Sequence, residues 1–174
     1  MGQVAKNLLA QLQGSPGDAQ NPAADPLDAR LYRKLEWAAQ LHDIGSHISH
    51  SDYHKHGAYI LDNADAMGFT LPELHRLSLL VLGHRGKLRK LDVDFADEQF
   101  VQQLLCLRLA VILCHARRDP DLGGLCLARA HKANAFHLDW RAGWAQSFPQ
   151  SAHLLREEVL AWQKTPWSLS LGES

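Results

Sequence analysis

Leu35-Glu36-Trp37-Ala38-Ala39-Gln40-Leu41-His42-Asp43-Ile44-Gly45 is the stretch on which the reading of this chain turns. Leu31, Leu35, Ala38, Ala39 and Leu41 recur at helical spacing, which predicts a helix carrying His42 and Asp43 into its last turn, ahead of Gly45 as terminator. An imidazole and a carboxylate at that place can both reach inward, to one metal ion or to each other. The plainer alternative is a buried hydrogen-bonded pair that orients the helix end. Five of the eleven histidines, His42, His47, His50, His54 and His56, fall within fifteen residues, so the excess is local.

Outward from that stretch the pattern stays helical. Val4, Leu8, Leu9 and Leu12 predict a helix over about residues 3–13, stopped by Gly14-Ser15-Pro16-Gly17, with a surface loop to Pro26. His54 to Met67 reads as a helix closed by Gly68. Thr70-Leu71-Pro72-Glu73 has the capping-box pattern, opening a helix with Leu74, Leu77, Leu80 and Val81 on one stripe. Asp94 or Asp97 opens the longest helix, through Leu104, Leu107, Val111 and Cys114, which the chain leaves at Arg117-Arg118-Asp119-Pro120. After Gly123-Gly124 the period changes. Leu125–Ala130 and Ala135–Trp140 predict a hairpin around Lys132-Ala133-Asn134, then a helix over 151–164 and a short strand over 167–171. The expected architecture is mainly α: a helical body over residues 1–120 and a small α+β tail over 121–174. A hairpin alone is marginal, so the tail must pack on the helices or on another chain.

Composition limits the partners. With 174 residues, 46% apolar and a formal charge of -1, the chain has the statistics of compact folded protein. A near-neutral balance argues against wholesale coating of nucleic acid or membrane, and no apolar run approaches the roughly 18 residues of a membrane span. Met1-Gly2-Gln3 opens no signal-peptide core. Cys106, Cys114 and Cys126, odd in number and without C-x-x-C spacing, read as buried thiols in a reducing compartment, hence a cytoplasmic protein.

Leu41-His42-Asp43-Ile44-Gly45, His54-Lys55-His56-Gly57-Ala58-Tyr59-Ile60-Leu61 and Leu80-Val81-Leu82-Gly83-His84-Arg85 resemble the HD-domain superfamily of helical metal-dependent phosphohydrolases. Its ligands are a His, a His-Asp pair and a distant Asp, with two further histidines in binuclear members. The resemblance implies a metal set of His42, Asp43, His56 and His84, and a divalent ion such as Mg or Mn as the candidate cofactor. The set departs from the pattern. No histidine precedes His42, and Val111 follows Arg108-Leu109-Ala110 where the distant Asp belongs.

A narrower resemblance runs from about residue 31 onward. Together with Tyr53-His54-Lys55-His56, His84-Arg85-Gly86-Lys87 and Leu107-Arg108-Leu109-Ala110-Val111-Ile112-Leu113, the quoted stretches look like the C-terminal region of the exopolyphosphatase and guanosine pentaphosphate phosphohydrolase family. In that family hydrolysis belongs to an N-terminal actin-like module, with Gly-rich phosphate loops and acidic residues that hold Mg. No Gly-rich loop sits between a strand and a helix here. The resemblance therefore implies an HD-like helical module, standing alone or separated from an actin-like partner module, that binds polyphosphate or a (p)ppGpp-like polyanion and dimerises without catalysing alone. A degenerate metal-dependent phosphohydrolase acting through His42, Asp43, His56 and His84 is the alternative.

Arg85, Lys87, Arg89 and Lys90 place four cations in six positions with no acid among them. Such a run is either a solvated loop or a track for a linear polyanion, which binds through successive charge-assisted contacts and counterion release. Lys55, His84, Arg117 and Arg118 are its expected neighbours. His47 and His50 read as loop. Arg108, between Leu107 and Leu109, either pairs internally with an acid or faces a cleft. Trp37, Trp140, Trp144, Trp162 and Trp167 do not interleave with the basic residues, so they read as core or interface.

Overall fold

The computed structural model describes residues 1–14, 26–115, 120–130 and 133–173. The loop expected over 15–25, Lys132, and the polyanion contacts expected of Arg117 and Arg118 lie outside the described residues. The chain is mainly helical, with a small three-stranded mixed sheet near its C-terminal end.

α1 (Gly2–Leu12) and α2 (Pro26–Leu41) pack together and against α5 (Glu98–Leu113), the helix at the centre of the body. α5 touches α1, α2, α4 and α7, and from Gln103 to Ala110 every residue is buried, which makes it the interior helix of the body. Leu104, Leu105, Leu107 and Leu109 are fully buried, each contributing about 1.5–3 kcal/mol of transfer free energy. Asp97 caps α5 by accepting the Phe100 N–H at 2.9 Å.

α3 (Tyr53–Asp62) and α4 (Leu71–Gly83) form a helical hairpin. Asp62 ties it, accepting bonds from the Ser78 hydroxyl at 2.7 Å and from His75 Nδ1 at 2.9 Å. α4 opens with the expected capping box: Thr70 Oγ1 accepts the Glu73 N–H at 3.3 Å and Glu73 Oε2 accepts the Thr70 N–H at 3.0 Å. Those bonds hold the Glu73 carboxyl below its ordinary range.

Three sequence expectations are corrected here. α3 ends at Asp62, not at Met67, because the Asn63 side chain takes the Tyr59 carbonyl at 2.8 Å and closes the helix locally. Gly68 (φ +90°) instead supplies the left-handed residue before the Thr70 cap. α2 ends at Leu41, and Gly45 is not its terminator. Gly45 sits in a 3-10 turn, Ile44–His47, pressed on α3, where a Cβ would lie 2.0 Å from the Tyr53 carbonyl oxygen and 2.4 Å from the Gly57 nitrogen. Cys126 is exposed, not buried: strand alternation sends its neighbours Leu125 and Leu127 into the core and the thiol outward. Cys106 is fully buried, which pushes its thiol pKa up, and Cys114 is half-buried.

In the tail, β1 (Leu125–Arg129) pairs antiparallel with β2 (Ala135–Trp140), with Leu127 opposite Leu138. β3 (Ser168–Glu173) pairs parallel on the other side of β2, with Phe136 opposite Leu169. Between β2 and β3 the chain makes the short α6 (Trp144–Ser147) and the longer α7 (Pro149–Trp162). The inner sheet face, with Leu127, Phe136, Leu138, Trp140 and Leu169, joins the same hydrophobic cluster as α1 and α5. Gln11 on α1 covers the β1 edge, accepting the Leu127 N–H at 2.7 Å through Oε1. Trp144, Trp162 and Trp167 are buried as core, Trp167 stacked on Phe136 at 4.9 Å.

Candidate polyanion site

Where α2, α3 and α4 converge, the side chains of His42, Tyr53, His54 and His84 meet. His84 caps the end of α4 and is 2% exposed. Its Nδ1 lies 2.5 Å from the Val81 carbonyl oxygen, and His42 Nδ1 lies 2.9 Å from the Ala39 carbonyl oxygen. A carbonyl only accepts, so both imidazoles are assigned the proton on Nδ1. The Tyr53 hydroxyl then donates to His84 Nε2 at 3.3 Å. His42 and His84 stand edge to face, centroids 5.3 Å apart. Burial holds the His84 pKa down at about 3, and the nearby His42, His54 and Arg108 push the same way against the Val81 bond. His84 is therefore neutral at ordinary pH.

The other expected metal residues stand apart. Asp43 is exposed and makes no side-chain hydrogen bond or ion pair with any described residue. His56 is half-buried under the 3-10 turn, its Cβ 2.9 Å from where a Gly45 Cβ would sit, and it makes no ring contact with His42 or His84. Among the described residues no three His, Cys, Asp or Glu side chains are gathered closely enough to hold a metal ion. His47 and His50 are exposed.

From His84 the chain runs straight into the basic turn. Gly86 (φ +80°) reverses it, Lys87 leads into a 3-10 turn over Leu88–Lys90, and Leu88, 2% exposed, pins the turn to the core. Arg85, Lys87, Arg89 and Lys90 are all exposed and none forms an ion pair with a described residue. Lys55, on the first turn of α3, is held by Asp52 at 2.9 Å, and the Lys55 hydrogen bond lowers the Asp52 carboxyl pKa. A cleft of about 400 Å³ lies between α3 and the turn, lined by Lys55, Arg85, Lys87 and Lys90 with His54 and Asp52. Arg85 lies over the Tyr53 ring at 4.9 Å, which couples the histidine cluster to the turn. His54 faces the same cleft with its Nδ1 buried and unpartnered among the described residues, and burial followed by Arg85 lowers its pKa.

Arg108 takes the first of its two expected roles. Buried in α5, it makes a bidentate pair with Glu158 of α7, at 2.6 Å through Nε and 2.8 Å through Nη2. The rest of the guanidinium donates to the carbonyls of Gly83 at 2.6 Å and Gly86 at 3.3 Å, the two ends of the segment carrying His84 and Arg85. Trp162 Nε1 donates to Glu158 Oε1 at 2.7 Å and completes the network. Sequence reasoning missed Glu158. The available signal was a carboxylate on the α7 stripe of Leu155 and Trp162, opposite an arginine in an otherwise apolar helix: two oddities of opposite charge.

Fold and site together define a mainly helical module in which His42 and His84 are hydrogen-bonded within the fold and a run of exposed cations stands on the turn beside them. A family model described as Ppx/GppA phosphatase, domain III, matches residues 1–160. The chain belongs to the Ppx/GppA phosphatase family. It is similar to the guanosine-5'-triphosphate,3'-diphosphate pyrophosphatase of Pseudoalteromonas translucida, 36% identical over 138 residues that cover 78% of this chain and 27% of the relative. The protein of the same name from Pseudoalteromonas atlantica is 33% identical over 172 residues, 97% of this chain and 32% of the relative. That from Aeromonas hydrophila is 34% identical over 144 residues, 80% and 29%. The chain thus spans less than a third of the length of these curated relatives.

Proposed function

We propose that this chain is the polyanion-gripping part of a Ppx/GppA phosphatase: it binds linear phosphoanhydrides, inorganic polyphosphate or a guanosine pentaphosphate, while hydrolysis belongs to an actin-like module. The observation that carries the reading is the basic turn, four exposed cations that form no ion pair with a described residue, on a segment held at its start by buried Arg108 and pinned by buried Leu88. Anchoring matters because an ordered row of cations loses less entropy on binding than a floppy one. Lys55, paired with Asp52, contributes by exchanging that carboxylate for a phosphate. The relatives' printed name supports the nucleotide as one of the two polyanions. The proposal includes a homodimer in the cytoplasm, with no membrane or nucleic-acid partner. Among the described residues no helix is long and apolar enough to cross a membrane. Exposed Tyr59, Met67 and Leu71 on the α3–α4 hairpin are the apolar side chains a second copy would cover.

Titration calorimetry with long-chain inorganic polyphosphate tests the reading. Replacing Arg85, Lys87, Arg89 and Lys90 together by Gln is expected to lower affinity at least about 100-fold at low salt and to flatten the salt dependence, each lost phosphate contact removing roughly 0.7–0.9 from the log–log slope. Unchanged affinity, or binding insensitive to salt, overturns it. Sedimentation equilibrium, with Met67→Lys as the disrupting variant, checks the dimer. Metal analysis of the purified chain checks the alternative hydrolase, for which stoichiometric metal lost in His42→Ala together with phosphatase activity is the required result.

A further inference from the structure

The inner face of the tail sheet is core, and its outer face carries polar chemistry. Strand alternation turns Cys126 and Ala128 of β1, His137 and Asp139 of β2, and Ser170 and Gly172 of β3 to that side, away from the buried Leu127, Phe136, Leu138 and Leu169. The register sets Ala128, His137 and Ser170 in one row across the strands, and Cys126, Asp139 and Gly172 in the next. His137 joins the other two polar groups: its Nε2 lies 2.9 Å from Asp139 Oδ1 and its Nδ1 2.7 Å from Ser170 Oγ. A carboxylate only accepts, so the neutral imidazole is assigned its proton on Nε2, and the bare Nδ1 accepts the Ser170 hydroxyl. The same hydroxyl also lies 3.2 Å from the Phe136 carbonyl oxygen, farther than the imidazole. Gly172 makes the arrangement possible, since a Cβ there would overlap Asp139 Oδ1 and lie 2.8 Å from His137 Nε2. Ser170 is exposed, so a reactant reaches its Oγ from solvent.

We propose that Ser170, His137 and Asp139 form a nucleophilic site, at which Ser170 takes the acyl group of a small uncharged carboxylic ester. His137 Nδ1 removes the hydroxyl proton as Ser170 Oγ bonds to the ester carbonyl carbon. Collapse breaks the bond from that carbon to the leaving oxygen, which takes the proton back from Nδ1 and departs as an alcohol, leaving an acyl-serine. Water deprotonated by the same Nδ1 then cleaves the acyl-serine to a carboxylic acid, and the proton returns to Ser170. Asp139 touches no reactant: it is a positioning residue that fixes the ring and its tautomer. Ala128 and Gly172, the nearest residues of the flanking strands, are too small to wall a deep acyl pocket, which limits the substrate to a short acyl chain. The Asp139 carboxylate beside the ring repels anions, so the substrate is neutral. The inference is independent of the polyanion reading, in which these residues have no part.

Labelling of the whole chain with a fluorophosphonate tests the nucleophile, because Oγ bonds to phosphorus only as fluoride leaves and the serine proton passes to a base. Peptide mass spectrometry is expected to place the adduct on Ser170 in folded protein and to find it lost in urea-unfolded protein. His137→Ala is expected to slow the labelling of Ser170 about 100-fold or more, with added imidazole restoring part of the rate. Asp139→Asn, nearly isosteric, is expected to slow it at least about 10-fold, and to have no further effect in the His137→Ala background, which separates positioning of the imidazole from a role in folding. Circular dichroism checks that each variant is folded. p-Nitrophenyl acetate then tests the substrate class, in a Cys126→Ala background that removes the exposed thiol of the same face. Acetyl-Ser170, or nitrophenol release that Ser170→Ala abolishes, is the expected result. An unlabelled Ser170 in folded protein, or labelling as fast after unfolding or in His137→Ala, overturns the site. Fluorophosphonate labelling without acetyl transfer overturns the ester assignment.

Discussion

The histidine cluster and the basic turn are consecutive in sequence and opposite in physics. His42 and His84 spend their Nδ1 protons on carbonyls of their own helices, and burial keeps His84 uncharged. One residue later Arg85 is in water, charged and without a carboxylate partner among the described residues. The comparison teaches that residues resembling a catalytic centre can be tied into the fold by backbone carbonyls, while the exposed, unpaired charge stands on the less distinctive lysines and arginines beside them. What joins the two is Arg108, a buried charge tolerable only because Glu158 and two carbonyls satisfy it.

The strongest way to break this comparison is to remove the joint. Arg108→Ala leaves Glu158 buried without its partner and frees the turn, so a loss of about 3–5 kcal/mol is expected in urea unfolding. That corresponds to a fall of roughly 6–20 °C in Tm for a chain of this size. Glu158→Ala should cost a similar amount, and the double variant less than the sum of the two, because each single change strands the other charge. A loss under about 1 kcal/mol would mean that the turn supports itself.

Acid sharpens the contrast next. The folded His84 pKa, about 3, lies below the unfolded value near 6.5, so between those limits the unfolded chain binds a proton that the folded chain refuses. Stability from this group is complete above pH 6.5 and falls by up to about 1.4 kcal/mol per pH unit as pH drops toward 3. Urea midpoints of the metal-free chain from pH 7 to 4.5 should show this slope. His84→Gln, destabilised at neutral pH, should show it reduced.

Gly45→Ala is expected to cost about 1–3 kcal/mol by forcing the 3-10 turn away from α3, since the new methyl has no space beside the Tyr53 carbonyl. Thermal unfolding followed by circular dichroism measures it. The smallest effect on folding belongs to the residues with the largest proposed effect on binding. The variant lacking all four turn cations should keep its stability within about 0.5 kcal/mol per site, since exposed charges without partners contribute little. A larger loss would show that the turn's charges hold the fold.

Much of the architecture was legible in the sequence because it is written in local code. The Thr70–Glu73 capping box, the α1 and α4 stripes and the tail hairpin depend on residues a few positions apart and stand where their patterns placed them, and of Asp94 and Asp97, both offered by the sequence, Asp97 is the cap of α5. Boundaries failed where a side chain competed with the helix, as Asn63 does by taking the Tyr59 carbonyl. The role of Gly45 failed for another reason. A glycine that ends a helix and a glycine that admits a neighbouring backbone look alike until the neighbour is in place.

The sequence by itself determined a mainly helical HD-like module of the Ppx/GppA family, with a block of unopposed cations after a histidine-rich helix pair, because periodicity, caps and motif spacing are properties of one segment at a time. Only the tertiary structure decided which residues meet. It set His84 against Tyr53 and His42 rather than His56, joined Arg108 to Glu158 across 50 positions, and brought Lys164 to the turn. These are contacts between distant segments, chosen by how α2, α3 and α4 converge and how α5 and α7 share a core, and no local pattern encodes that choice.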